Sequence, residues 1–254
     1  MLTLVDGSNM LHRAMWDEKN KLGIHPIREL YIRFMAADPD TFVVWDGYNS
    51  LKRRRDIFPG YKQRPEKAED IKASFDILKA VLCHCPVTQV ELPTWEADDV
   101  IYSIALDYID QNIPIRIETN DQDFWQLAKY DCINLPMVKP LPCLPEYTCV
   151  YKAIVGDSSD SIPGWRGFGP ARWEFMQSQA DIVEKCLQTK DYEVWSRLLW
   201  PKGIKIDEES FFQCCIFYEV VTMQRVPEKD FTDNYFCGKA QPALAEEIFA
   251  HWRI

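Results

Sequence analysis

The sequence predicts an α/β protein whose parallel sheet is joined to a helical C-terminal part. Over residues 1–150, short runs of β-branched and apolar residues alternate with segments of helical periodicity, the pattern of parallel strands joined by crossover helices. Beyond residue 150 the β-type runs fade and the remaining segments have helical spacing. We therefore expect an α/β part over residues 1–150 and a helical part over residues 151–254, without a flexible linker.

The individual elements follow from local pattern. Five strands are expected, at residues 2–6, 41–46, 87–92, 114–118 and 132–135. The clearest helix covers residues 65–84, because it has proline in its first turn and apolar residues along one face. A second helix begins near Glu96, and the proline-rich stretch 136–146 should be an irregular loop. Five more helices are predicted at residues 170–178, 180–188, 191–199, 208–224 and 242–252.

The composition is that of an ordinary folded protein. Hydrophobic residues make up 47% and charged residues 27% of the 254 residues, which excludes disordered, collagen-like and small disulfide-rich chains. No run approaches the roughly 18 apolar residues of a membrane span, and the early carboxylate of Asp6 argues against a signal peptide. The nine cysteines are scattered without a C-x-x-C pair. We therefore expect a cytoplasmic protein with reduced thiols and no membrane partner.

The net charge of −10 argues against a protein that coats nucleic acid nonspecifically. The bases are nevertheless concentrated in residues 52–72, which contain only four acids. They are Lys52, Arg53, Arg54, Arg55, Lys62, Arg64, Lys67 and Lys72. This stretch is either a surface for phosphates or a solvated helix face.

Acidic residues follow four of the predicted strands. They are Asp6, Asp46, Glu96, Asp98, Asp99, Asp121 and Asp123. Because the carboxyl ends of parallel strands share one edge of a sheet, we expect these side chains to meet. Any one of them could simply cap a helix or stabilise a turn, but crowded carboxylates repel one another. Hard oxygen ligands suit Mg²⁺ or Mn²⁺, whereas the four histidines lack the spacing of a zinc site.

A second group of acids lies in the segment VGDSSDSIPGWRGFGPARW, residues 155–173. Asp157 and Asp160 are three residues apart, so on a helical turn both would point the same way. The segment then turns at Gly164, Gly167 and Gly169. A G-x-G turn that opens a helix can present amide groups to a phosphate. Alone it is more often a plain turn, and the preceding acids favour the binding role.

Six segments, in order along the chain, resemble those of one known family. They are LVDGSN, VVWDG, FPGYKQRP, EADDVI, TNDQDF and GDSSDSIPGWRGFG. Over roughly residues 2–175 the sequence is similar to the 5′ nucleases: flap endonucleases, phage 5′–3′ exonucleases and the N-terminal nuclease domain of bacterial DNA polymerase I. The resemblance implies a PIN-like core with a helical gateway near residues 47–84 and a helix–three-turn–helix near residues 151–178.

The resemblance also implies two divalent metal ions held by nine carboxylates. The first site matches Asp6, Asp46, Glu96 and Asp98, with Asp99 beside it. The second site matches Asp121, Asp123, Asp157 and Asp160. Tyr61 and Lys62 match the gateway residues that act on the substrate, and Tyr61 and Phe58 are expected to stack on bases. Arg64 matches the gateway arginine, but one residue instead of two separates it from Lys62, so that Arg53, Arg54 or Arg55 is an alternative.

The glycine turns match the part of the family that grips duplex backbone and often holds K⁺. The DNA contacts expected there are Gly164, Gly167, Gly169 and Arg172, with Arg53, Arg54 and Arg55 at the gateway. Ala171 stands where relatives frequently have lysine. Trp165 is the one tryptophan expected to have a role beyond packing.

The function implied is a metal-dependent 5′ nuclease that hydrolyses phosphodiester bonds near the 5′ ends of duplex, nicked or flap DNA. RNA primers in RNA–DNA hybrids are further expected substrates, and the protein is expected to be a stand-alone monomer, in the host cytoplasm if phage-encoded. One rival is another metal-dependent α/β hydrolase, such as a small ribonuclease or phosphatase, which needs neither glycine turn nor basic gateway. The other is a module that binds branched DNA without cutting it, with acids that only cap helices.

Overall fold

The computed structural model describes residues 1–17, 25–63, 69–231 and 234–254. Its centre is a six-stranded sheet with the strand order β5-β4-β1-β2-β3-β6. The strands are β1 (Leu2–Asp6), β2 (Thr41–Trp45), β3 (Thr88–Glu91), β4 (Ile115–Glu118), β5 (Ile133–Asn134) and β6 (Tyr235–Cys237). The first five pair in parallel and β6 pairs antiparallel with β3. The carboxyl ends of β1 to β4 therefore share one edge.

Helices surround the sheet and form most of the second half of the chain. Those of the first half are α1 (Gly7–Asp17), α2 (Pro26–Met35), α3 (Lys52–Ile57), α4 (Glu69–Leu82) and α5 (Ala97–Ile109). Those of the second half are α6 (Thr148–Val155), α7 (Pro170–Met176), α8 (Ala180–Thr189), α9 (Tyr192–Arg197), α10 (Glu208–Val221) and α11 (Pro242–Trp252). Within the described residues, no helix is long and apolar enough to span a bilayer.

Both faces of the sheet are buried, because alternate residues of each strand point to opposite faces. On β2, Val44 joins α5 and the segment around Met223 in one core cluster. Its neighbour Val43 faces the other way and packs with α1, α2, α4 and α11, including Phe249. A third cluster lies among α6 to α10 and includes the buried Trp195.

A fourth, smaller cluster joins the helical part to the loop after α3. Tyr61 packs there with Phe217 and Val220 of α10, and Phe58 makes an edge-to-face contact with Phe217 at 5.3 Å between ring centroids. The end of α10 therefore fixes the segment that connects α3 to the acidic edge of the sheet.

The strands and helices predicted from the sequence are confirmed to within a few residues where the structure describes them. The start of the predicted 65–84 helix lies outside the described residues, and the predicted 208–224 helix ends at Val221. Strand β6 was not predicted from the sequence. Its three residues are all exposed, so they do not alternate between buried and exposed positions, and the strand forms by pairing with β3. The division at residue 150 stays a prediction; β6 and α11 nevertheless return from the second half to the sheet.

Candidate active site

The acids predicted to converge do converge at the carboxyl edge of the sheet. A cavity of about 340 Å³ opens there, and its lining includes four of the predicted carboxylates. These are Asp6, Asp46, Asp98 and Asp121, and Lys62 lines the same cavity. Each acid comes from a different segment, so the sheet topology alone assembles this site.

Hydrogen bonds orient two of these carboxylates, Asp6 and Asp46. Asp6 accepts from the backbone amide of Asn9 at 2.9 Å and from the Thr119 hydroxyl at 3.1 Å. Asp46 accepts from the Ala97 amide at 3.0 Å and so caps the first turn of α5. These bonds set where the carboxylate oxygens point before any ligand arrives.

Two groups of three carboxylates have oxygens close enough to hold a metal ion. One group is Asp98, Asp121 and Asp123, and the other is Asp123, Asp157 and Asp160. Within each group the oxygens lie within 4.8 Å of one another. Clustered carboxylate oxygens are the ligand set of a hard divalent cation, so the residues fit such an ion, and Asp123 belongs to both groups.

Asp157 and Asp160 lie in a tight turn after α6, where the sequence had suggested a helical turn. The backbones of Asp157 and Ile162 exchange two hydrogen bonds of 2.8 Å, which close the turn. Ser161 adopts a φ of +60° within it. The turn still brings both carboxylates to Asp123.

Two lysines lie among the acids. The Lys62 ammonium is 2.8 Å from Glu96, 3.6 Å from Asp160 and 3.9 Å from Asp98. Lys152 of α6 is buried, forms an ion pair with Asp123 and lies 2.6 Å from Asp157. Each lysine thus offsets part of the repulsion among the carboxylates.

The role of Lys152 beside the acids was not predicted from the sequence. The signal was present, since Lys152 is a single cation in an otherwise apolar helical segment, TCVYKAIV, five residues before Asp157. A buried lysine requires a carboxylate partner, and the turn that follows α6 supplies one.

Burial and mutual repulsion perturb the acids. Burial, together with the neighbouring Asp46, raises the pKa of Asp6 to about 7. Burial and the charge of Asp123 do the same to Asp160, whose pKa is also about 7. The pKa values of Asp98 and Asp121 are raised, first by burial. Such crowding disfavours full ionisation unless cations are present.

The stability of the metal-free protein should therefore fall as the pH rises from about 4 to about 7. The folded pKa values of Asp6 and Asp160 lie above the ordinary 3.8. The contribution of these two carboxyl groups to stability is complete below pH 3.8, and it is lost as the pH rises through about 7. Divalent ions should reverse the loss, because they bind the ionised form. Melting temperatures in chelator and in Mg²⁺ would test this; a maximum at pH 8 in chelator contradicts it.

Glu96 and Asp99 are held by Arg54, and this corrects two expectations. Arg54 is only 7% exposed and donates to both oxygens of Asp99, at 2.7 and 2.8 Å, and to Glu96. The Asp99 carboxylate also accepts from the backbone amide of Gln224 at 2.8 Å. Arg54 is thus too buried to contact DNA, and the structure places Asp99 in this ion pair and not in either group of candidate metal ligands.

Arg54→Ala should lower the free energy of unfolding by about 3–5 kcal/mol, because it leaves Asp99 buried without its cation. Lys52→Ala, on the same helix, should cost at most ~1 kcal/mol, since its pair with Asp56 is exposed. Urea unfolding of both variants gives the comparison. Equal losses would show that the buried pair contributes no more than the surface pair.

Several side chains of the gateway are held by contacts within the protein. Tyr61 is 2% exposed and its hydroxyl lies 3.2 Å from Glu96, so it cannot stack on a base in this arrangement. Arg55 donates to the carbonyls of Tyr61 at 3.2 Å and Lys62 at 2.8 Å and so supports the loop that carries Lys62. Arg53 lies over the Trp95 ring at 3.5 Å. Arg64 lies outside the described residues.

The glycine turns lie between α6 and α7, as predicted. Gly164 has a φ of +68°, and a Cβ there would lie 2.5 Å from the Gly156 nitrogen, so a side chain would not fit. Arg172 donates to the Gly167 carbonyl and braces the turn. Trp165 is buried and lies 4.8 Å, centroid to centroid, from Trp200; its role is packing.

Known proteins resemble this chain in sequence and fold. The family model "5'-3' exonuclease, N-terminal resolvase-like domain" matches residues 1–142. A 5′-3′ exonuclease of Aquifex aeolicus is 29% identical over 204 residues, which cover 76% of this chain and 70% of that protein. DNA polymerase I of Thermus aquaticus is 26% identical over 208 residues, 74% of this chain but only 25% of the polymerase.

Two solved structures share the fold. The zinc-bound T5 5′-exonuclease aligns with a TM-score of 0.58 at 20% identity and covers 98% of each chain. The bacteriophage T5 D15 flap endonuclease, in a complex with DNA and metal ions, aligns with a TM-score of 0.55 at 20% identity, over 87% of this chain and 89% of that one. Because the family model matches more than half of the sequence, the chain belongs to the 5′-3′ exonuclease family.

Proposed function

We propose that this nuclease uses divalent metal ions to hydrolyse phosphodiester bonds near the 5′ ends of duplex, nicked or flap DNA. The observation that carries the proposal is the pair of carboxylate groups that share Asp123. The Aquifex relative is named a 5′-3′ exonuclease, and a T5 relative of the same fold was solved with DNA and metal ions. The acidic edge offers carboxylate groups that could bind such ions in this chain.

We assign two ions, Mg²⁺ or Mn²⁺, to this edge. The first would be held by Asp98, Asp121 and Asp123, with Asp6, Asp46 and Glu96 beside them, and the second by Asp123, Asp157 and Asp160. Asp121, expected at the second ion, is thus assigned to the first, because its oxygens lie near those of Asp98. When bound, such ions supply Lewis acidity at the scissile phosphate and at the attacking water. Sharing of Asp123 between the groups keeps the two positions adjacent, as in-line displacement at one phosphate requires.

The protein's own cations complete the proposed mechanism. Lys62 already lies among three carboxylates, and ions bound there would free its ammonium to donate to phosphoryl oxygens, where negative charge develops. Lys152 would stay on Asp123 and Asp157 and hold them in position. Burial opposes the charge on Lys152, but these carboxylates outweigh it and raise its pKa, so it stays protonated.

DNA would approach from the gateway and from the glycine turns. Arg55 is exposed beside Lys62, and Arg166 is exposed within the turns. Gly169 has no atom within 4 Å of the place where a Cβ would stand, so duplex backbone can approach it closely. Potassium at this turn, RNA–DNA hybrids as substrates and a monomeric state stay predictions.

The first test is cleavage of labelled 5′-flap, nicked and blunt duplexes, in Mg²⁺ and in chelator, by the wild type and Asp121→Asn. We expect metal-dependent cutting from the 5′ side that the variant loses, because Asp121 lines the cavity and belongs to one carboxylate group. Product lengths separate stepwise trimming from flap release.

Each rival makes a different prediction for the same experiment. Hydrolysis of free nucleotides without cleavage of branched DNA favours another metal-dependent hydrolase. Metal-independent binding of branched DNA without cleavage favours a binding module. Equal cleavage by Asp121→Asn would reject the assignment of this edge as the metal site.

A further inference from the structure

Tyr48 lies two residues beyond Asp46, in the loop that joins β2 to α3. Its side chain is 78% exposed, the highest value among the large hydrophobic side chains that the structure describes. Single exposed aromatic residues are common on protein surfaces. This one stands out because the loop that carries it also carries an acid of the candidate active site.

The backbone of this loop is fixed. The Gly47 amide donates to the Trp95 carbonyl at 3.0 Å, and the Thr94 amide donates to the Tyr48 carbonyl at 2.8 Å. A Cβ on Gly47 would lie 1.7 Å from the Leu92 carbonyl oxygen, so the two backbones are in contact. Tyr48 is therefore held against the segment that leads into α5.

Two residues at this contact have left-handed backbone conformations. Thr94 has a φ of +67° and Asn49 a φ of +56°. For a β-branched residue such as threonine this conformation is a genuine outlier. Strain of this kind persists only where the surrounding structure enforces it, and it is concentrated at binding sites and active sites. The loop is thus specified in detail although its aromatic side chain packs on little.

The neighbouring surface suits a phosphate backbone. A groove of about 440 Å³ beside the loop has a lining of two cations, one acid, two polar residues and one apolar residue: Lys52, Arg55, Asp56, Asn49, Ser50 and Leu51. The pair of Lys52 with Asp56 is exposed and so is weak in water, which leaves Lys52 able to bind an anion. Aromatic rings beside cations are the arrangement by which proteins hold single-stranded nucleic acid.

We propose that Tyr48 is a stacking platform for an unpaired nucleobase close to the scissile phosphate; this inference rests on the proposed function. Two residues of extended chain span at most about 7 Å, and successive nucleotides of a stacked strand are about 3.4 Å apart. The ring therefore reaches a base within roughly three nucleotides of a phosphate held at Asp46. It takes a role that the buried Tyr61 cannot fill.

The test measures binding of a labelled 5′-flap duplex by fluorescence anisotropy in chelator. Tyr48→Ala should weaken binding about 5- to 150-fold, the range that corresponds to ~1–3 kcal/mol per stacked base. Tyr48→Phe should match the wild type and Tyr48→Trp should bind at least as tightly. Trp252→Ala, an exposed aromatic at the end of α11, is the control and should change nothing.

A series of flaps with one abasic position each then identifies the base. At one position the wild type should fall to the affinity of Tyr48→Ala, and the variant should lose nothing further. Wild-type affinity in Tyr48→Ala, or a loss that is the same whichever base is removed, overturns the inference. If the wild type cleaves the flap in Mg²⁺, such a result rejects only Tyr48; a wild type that neither binds nor cleaves DNA rejects the proposed function as well.

Discussion

Asp123→Asn should lower the rate of metal-dependent DNA cleavage by about 10³-fold, which corresponds to ~4 kcal/mol of lost stabilisation at 1.36 kcal/mol per factor of ten. The reason is that Asp123 is the carboxylate shared by both groups of candidate ligands. Asparagine keeps its shape and removes its charge, so both positions are weakened at once. Single-turnover cleavage of a flap duplex measures the rate, and Mn²⁺ titration counts the bound ions.

The fold should survive this change. Lys152 keeps its ion pair with Asp157 at 2.6 Å, and the Asp123 backbone amide keeps its bond to Asp121 at 2.9 Å. Asp131→Asn is the matched control, since Asp131 is exposed before β5, and it should cleave like the wild type. If Asp123→Asn cleaves within tenfold of wild type with the same number of ions, Asp123 is not a shared ligand.

Lys62→Met should lower the turnover rate by about 10²–10³-fold, the usual cost of removing one donor from a developing oxyanion. Burial opposes the positive charge of Lys62, but Glu96 and Asp160 outweigh it and raise its pKa. The ammonium therefore stays charged and competes with metal ions for these carboxylates. We expect the variant to bind divalent ions as tightly as the wild type or more tightly.

Kinetics distinguish this role from a structural one. An interaction made only in the transition state changes kcat with little change in KM, whereas a collapsed site would also lose metal binding. Lys239→Met removes an exposed lysine that follows β6 and should leave both constants unchanged. A variant of Lys62 with normal kcat, or one that no longer binds metal, contradicts the proposed role.

The carboxylate edge was predictable because it depends on topology alone. Once a segment is recognised as a parallel strand, the acid that follows it must lie at the common edge, and Asp6, Asp46 and Asp121 all do. Asp157 and Asp160 also reached the site, although through a closed turn and not a helix. Patterns of this kind need no knowledge of which helix packs on which.

The role of a cation was not predictable, because it depends on which face is buried. The sequence does not show which of the three consecutive arginines, Arg53 to Arg55, is buried. Successive side chains on a helix point about 100° apart, so their surroundings differ. Only Arg54 faces α5 and α10. In the same way, Lys152 became a partner of the acids only because α6 turns that face towards Asp123.

The return of β6 and α11 to the sheet has a consequence for how the protein folds. Phe249 of α11 completes the core that α1, α2 and α4 begin, the carbonyl of Ile254 accepts from Arg28 at 3.0 Å, and β6 pairs with β3 at the edge of the sheet. One face of the sheet and one of its edges are therefore completed by residues more than 140 positions away from β3 along the chain. The α/β part cannot close its core until β6 and α11 have packed against it, so the two halves of the chain are expected to fold as one cooperative unit.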